Sequence, residues 1–164
     1  MDPYRVEVEV ADYADKLHRH GIVSLMDGYA RDPMGGGCAL EPERLSSLCD
    51  HLQRFPGALT LLAFSAVGQP IGLLTAFTGF STFRCQPLFN IHDVFVSPEY
   101  RGLGIARQLL ATLQAVAEER DYCKLTLEVL SNNYLAQSVY RHFGFAPYSL
   151  DPAAGQALFW EKTL

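Results

Sequence analysis

Apolar and polar residues alternate along "YRVEVEV" (4–10), the two-residue period of a strand with one exposed face. The period then lengthens. Leu17, Ile22, Leu25, Met26 and Tyr29 fall along one side of a helix over 13–30, with Asp12 placed to cap it. "RDPMGGGCALEP" (31–42) has no period, and its prolines and run of glycines predict a loop. "PERLSSLCDHLQRF" opens with Pro in its first turn and predicts a second helix. "ALTLLAFSA" (58–66) and "PIGLLTAFTGF" (70–80) predict two strands joined by a hairpin at "VGQ". "LFNIHDVFVSP" (88–98) predicts a strand stopped by Pro98. Helical spacing returns over 104–120 with Ile105, Leu109, Leu110, Leu113, Val116 and Ala117. "KLTLEVLS" (124–131) predicts a strand, and "NNYLAQSVYRHFGF" (132–145) a short helix ended by Gly144. "PYSL" and "ALFWEKTL" predict a final pair of strands.

The order β-α-α-β-β-β-α-β-α-β-β defines an α/β (α+β) chain with a mixed sheet. Its 164 residues, 49% hydrophobic and 19% charged, suit a single domain over 1–164 with a packed core. No apolar run approaches the roughly 18 residues that span a bilayer. "MDPYRVEVEV" is acidic and alternating, unlike a signal peptide, so the expectation is a cytoplasmic protein with no membrane partner. A net charge of −5 argues against a nucleic-acid partner and mildly favours a cationic substrate. Cys38, Cys49, Cys85 and Cys123 are far apart, with no metal-ligand spacing, and read as reduced thiols. No metal site is expected.

"VSPEYRGLGIARQLL" (97–111) carries the first chemistry. A glycine turn runs straight into a helix that has no Ser, Thr, Asp or Asn at its cap. About four N–H groups at a helix start lack partners, and they carry partial positive charge. Gly102 and Gly104 allow close backbone approach, while Arg101 and Arg107 have the wrong sign for the dipole but the right sign for phosphate. The plain alternative is a tight connection with both arginines in solvent. A dinucleotide fingerprint would need a third glycine at Arg107, and a P-loop would need Gly-Lys-Ser/Thr, which is absent.

"RGLGIA" (101–106) matches Arg/Gln-x-x-Gly-x-Gly/Ala and resembles the acetyl-CoA pyrophosphate loop of the GNAT N-acetyltransferase superfamily. A second block is similar to that family's Asn-x-x-Ala-x-x-x-Tyr-x-x-x-Gly-Phe helix: Asn133, Ala136, Tyr140, Gly144 and Phe145. "FNIHDVFVSPEYRG" also resembles diamine-type members. The resemblance implies a mostly antiparallel sheet of about seven strands with about four helices, splayed between strands 89–97 and 124–131. It implies acetyl-CoA as cosubstrate, with its pantetheine arm along the backbone of Val94, Phe95 and Val96. The N–H groups of Arg101, Gly102, Leu103, Gly104, Ile105 and Ala106 would hold the pyrophosphate, and Asn133, Ala136 and Tyr140 would line the arm. A homodimer is compatible with it.

Acetyl transfer to an amine needs the amine neutral, a donor for the oxyanion and a proton for the leaving thiolate. By resemblance Tyr140 is the acid; its alternative is a half-buried tyrosine with a local hydrogen bond. Asn133 either lies by the cofactor arm or merely caps its helix. Diamine-type relatives place Glu at the position of His92, which makes His92 a candidate base; a structural histidine is the alternative. Simple alternation puts His92 and Asp93 on opposite faces, unless a bulge intervenes. Asp93 is a candidate for catalysis or for holding a cationic substrate. Glu128 in "LTLEVL" is a further carboxylate, and His18, His20 and His51 read as surface residues. The loop with Asp32 and Met34, and "GFSTFRCQP" with Phe80, Phe83 and Arg84, are candidate acceptor-side segments.

The expected activity is direct transfer of acetyl from acetyl-CoA to a primary amine of a small, cationic molecule. A protein lysine or N-terminus is the alternative acceptor. A non-catalytic acyl-CoA-binding module is the alternative class.

Overall fold

The computed structural model describes residues 5–149, 151, 153, 155 and 157–164. Its strands are β1 (Glu7–Val10), β2 (Ala58–Phe64), β3 (Pro70–Ser81), β4 (Gln86–Val96) and β5 (Leu125–Leu127). Its helices are α1 (Lys16–Arg31), α2 (Pro42–Arg54), α3 (Ile105–Glu119) and α4 (Tyr134–Phe143). The strands form one sheet in the order β1-β2-β3-β4-β5. The first three pairings are antiparallel, and β4 with β5 is parallel.

Side chains alternate across a strand, so the central strands bury both faces. Leu61, Ala63, Ile71, Leu74, Phe89 and Ile91 pack with Ile105, Leu109, Leu110 and Leu113 of α3, and α4 adds Tyr140 and Phe143. On the opposite face Leu62, Phe64, Leu73 and Phe95 meet Ile22 and Leu25 of α1 and Cys49 and Leu52 of α2. Thr60 is buried in the sheet interior, yet its hydroxyl reaches Tyr13 Oη at 2.9 Å and Thr75 Oγ1 at 3.2 Å. The two buried threonine hydroxyls are therefore satisfied.

The structure corrects several expectations. Asp15, not Asp12, caps α1, its carboxylate accepting from the N–H groups of Leu17 and His18. Asp12 instead turns the chain by accepting from the Ala14 N–H. His18 is half-buried, accepts the Asp12 N–H at 2.9 Å and lies against Phe64. The sheet has five strands among the described residues, not about seven. No strand follows α4 in 147–149 or in 157–164, and Leu150 lies outside the described residues. Leu158, Phe159 and Trp160 stand exposed. An apolar run marks a segment able to pair; it does not supply the partner.

β5 is also shorter than 124–131, because its pairing with β4 ends at Ile91–Leu127. Beyond that point β4 continues to Val96, and no further pair with the 128–131 segment forms. Glu128 is exposed past the end of β5, so burial gives it no special role.

Candidate functional site

One irregularity in β4 sets the site. Thr75 pairs with Asp93 and Ala76 with Ile91, so His92 has no partner on β3. Two residues on β4 then oppose one step on β3, which is a β-bulge. Ile91 and Val94, three apart, both pack toward α3. His92 and Asp93 between them therefore share the other face. The His92 ring is 4.8 Å from Phe77, edge to face, and Phe77 packs in the core under α1 and α2. Asp93 pairs with Thr75, whose hydroxyl belongs to that same face. This overturns the expectation that the two residues face opposite ways: alternation fails by one residue at the bulge.

His92 is exposed and Asp93 half-buried. Burial pushes the Asp93 carboxyl above the ordinary range, and neighbouring His92 partly pulls it back. Replacing Asp93 with Asn therefore has a signed effect. Its folded pKa is above its unfolded one, so its stabilising contribution is lost as pH rises through the raised value. Asp93→Asn should raise the thermal midpoint at neutral pH by about 2 °C or more, a gain that fades as pH falls toward about 4. A calorimetric scan against pH checks this.

Tyr140 sits on α4, half-buried against the α3-side core, with its ring edge-on to Phe145 at 5.9 Å. Burial, then proximity to Tyr29, pushes its phenol up to about 12. Tyr29, near the end of α1, is raised by burial and then by Asp93 and Asp32. Its ring lies 5.9 Å from that of Phe95. Tyr29 thus lies within electrostatic reach of Asp93 and of Tyr140, which pack on opposite sides of the sheet. In the sequence it was one apolar position in a helix period; only the fold puts it beside ionisable groups.

The glycine turn has the geometry of an anion cradle. Gly102 and Gly104 have φ of 78° and 77°, the left-handed region that suits glycine. Gly104 is the N-cap of α3 and supplies no side chain. Tyr100 and Arg101 donate their N–H groups to Ser97 and Pro98 carbonyls, and Gln108 donates to Gly104. Between them the N–H groups of Gly102, Leu103, Gly104, Ile105, Ala106 and Arg107 meet no acceptor among the described residues. Among the described residues nothing beyond the adjoining chain comes within 4 Å of a Cβ placed on Gly102 or Gly104, so the turn has room around it. Gly104→Ala should cost about 1–2 kcal/mol from the left-handed backbone alone, read by chemical denaturation.

Arg101 does not turn toward that space. Its Nε donates to the Val96 carbonyl at 3.0 Å and its Nη2 to Asp32 Oδ2 at 2.7 Å. Asp32, the C-cap of α1, also accepts the Met34 N–H through Oδ1. The Arg101 bond, then the Met34 bond, hold its carboxyl below the ordinary range. Asp32 therefore shapes the loop from within, where the sequence placed it facing a substrate. Asn133 caps α4, its Oδ1 accepting the Ala136 N–H at 3.1 Å. Gln137, unremarked in the sequence, ties α4 to the carbonyls of Leu130 and Ser131. Phe80 and Phe83 are exposed on the β3–β4 hairpin. Among the described residues no cluster of three potential metal ligands occurs, and no helix is long and apolar enough to cross a membrane.

A glycine turn leading into α3, a bulged β4 and an α4 bearing Tyr140 define an acetyltransferase fold. The chain belongs to the acetyltransferase (GNAT) family, whose profile matches residues 22–145. It is 39% identical over 93 residues to streptothricin acetyltransferase of Streptomyces lavendulae, covering 57% of this chain and 49% of that one. It is 31% identical over 85 residues to thialysine N-epsilon-acetyltransferase of Bos taurus, covering 49% of each. The chain spans about half the length of these curated relatives. The fold superposes on the aminoglycoside acetyltransferase AAC(6')-Iy, in complex with the bisubstrate analogue CoA-S-monomethyl-acetylneamine, with a TM-score of 0.74. That likeness is at 17% identity and covers 98% of this chain and 99% of the other.

Proposed function

We propose that the protein is an N-acetyltransferase that moves an acetyl group from acetyl-CoA directly to a primary amine of a small cationic molecule. The observation that carries this is the run of free N–H groups from Gly102 to Arg107, following the end of β4 that pairs with β3 but has no partner on its β5 side. Such a run, at the positive end of a helix, suits a pyrophosphate. The residues fit the cosubstrate: the left-handed glycines leave room at the turn, and the β4 backbone at Val94–Val96 extends past the end of β5.

In this reading acetyl-CoA supplies an activated thioester. The gap between β4 and the 128–131 segment holds its arm against Val94, Phe95 and Val96, with Asn133 and Ala136 at its border. Asp93, with its carboxyl raised by burial, and His92 beside it take the proton that the attacking amine loses. Nitrogen bonds to the acetyl carbon and the carbon–sulfur bond breaks, its electron pair going to sulfur. Tyr140, whose phenol keeps its proton through the working range, donates that proton to the sulfur.

The amine class is supported by two facts. One acidic and several aromatic groups, Asp93, Tyr29, His92 and Phe77, gather on the face under α1 and α2. The similar proteins named above act on streptothricin and thialysine, and one is seen with an acetylneamine analogue. Thiol release from acetyl-CoA against polyamines, aminoglycosides, amino acids and lysine peptides tests the reading. Turnover with small amines supports it, and turnover with peptides alone replaces the acceptor. Tight acetyl-CoA binding without turnover makes the chain a binding module. No binding overturns the reading.

A further inference from the structure

A cation beside an anion cradle ordinarily points at the anion. Arg101 instead engages its Nε and Nη2 with Val96 and Asp32, and its Cζ lies 5.6 Å from the centre of the Phe95 ring. Its partner Asp32 is 69 residues away in sequence. The Asp32 side chain is 16% exposed and that of Arg101 39%, so the carboxylate is the shielded member of the pair. Asp32 is also the hub of the following loop. Its side chain accepts the Met34 N–H at 2.9 Å, and its carbonyl accepts those of Gly35 at 2.8 Å and Gly37 at 3.0 Å. One residue thus folds the 32–37 loop at the end of α1 and grips the turn that carries the free N–H groups.

We infer that Asp32 and the Arg101 side chain are a positioning pair that couples the two substrate sites. Ordering the glycine turn around a pyrophosphate and ordering the 32–37 loop on the acceptor side are one event. Each substrate then raises the affinity for the other by the same factor. This rests on the proposed function for its ligands, and on geometry alone for the link between the two loops. Neither residue touches the reacting atoms; both act through the backbone they hold.

The test is a double-mutant cycle on the full chain: Asp32→Asn, Arg101→Gln and the two together, with acetyl-CoA titrated by calorimetry. Each single variant should weaken binding about tenfold, and the double variant should bind no worse than the weaker single. In steady state KM for both substrates should rise more than kcat falls, a split that general loss of structure would not give. Amide exchange at Gly35 and Gly37 should speed up in Arg101→Gln, although the substitution is in another segment. Should Arg101→Gln fail to fold, Arg101→Lys keeps the charge, removes the two-point grip and takes its place. Unchanged acetyl-CoA affinity in the singles, or strictly additive losses, overturns the inference. If the wild type itself does not bind acetyl-CoA, the proposed function fails instead. Exchange at Gly35 and Gly37 then decides the pair: unchanged rates refute the link, and faster rates keep it.

Discussion

Tyr140→Phe should lower kcat by about a hundredfold or more while acetyl-CoA affinity stays within about twofold. The substitution removes one oxygen and leaves the ring that packs toward Phe145 and the α3-side core. In the proposed site the pyrophosphate is held by backbone donors in another segment, so affinity should not respond. The proton is the issue. Burial first, and Tyr29 second, hold the phenol up to about 12, so it stays protonated throughout an ordinary assay. A phenol in that state still carries the proton a leaving thiolate needs, and it cannot serve as a base. The sign for stability follows from the same shift. A folded pKa above the unfolded value of about 10 means stability is full below pH 10 and falls between roughly 10 and 12. The phenylalanine variant should lack that alkaline loss. Stopped-flow thiol release and alkaline denaturation read the two effects. A variant with unimpaired kcat would remove Tyr140 from the chemistry.

Gly35→Ala is expected to be the most disruptive single methyl in the loop. A Cβ at Gly35 would lie 1.9 Å from the Tyr29 carbonyl oxygen and 2.9 Å from Tyr29 Cδ2. Gly35 has no left-handed φ, so its requirement is room and not backbone freedom. The obstacle is backbone at the last turn of α1, which has nowhere to retreat. Either the loop lifts away or the helix end unwinds. Overpacking of this kind costs about 1–3 kcal/mol. Either outcome also displaces Tyr29 and Asp32, so KM for the amine should rise about tenfold or more, in line with the coupling energies of packed neighbours. Denaturation with urea and steady-state kinetics check both. Wild-type stability in this variant would mean that the loop is free to move without cost.

The sequence made the element order legible through α4, because each element there has its own period and punctuation. Gly104 and Gly144 mark the start of α3 and the end of α4 as their left-handed φ values require. The glycine turn was also legible, since an uncapped helix start is a local fact. What was hidden is long-range. Asp15 and Asp12 are equally good caps on paper, and only the helix direction set by packing chooses between them. The Asp32–Arg101 link joins two loops that no period relates. Tyr29 reads as core until Asp93 and Tyr140 arrive beside it from elsewhere in the chain. The facing of His92 and Asp93 turned on one extra residue, and a bulge has no reliable signature in a strand of mixed residues. The strands expected after α4 do not form among the described residues, because an apolar run is only half of a pairing.

That extra residue has a consequence for how the gene can change. Remove His92 and nothing in the ladder is displaced: Ile91 still meets Ala76, Asp93 still meets Thr75, and Val94 keeps its side. Elsewhere along β4 the loss of one codon would turn every later side chain over and put Phe95 into the wrong core. His92 is the one position in this strand that the sheet could lose without a change of register.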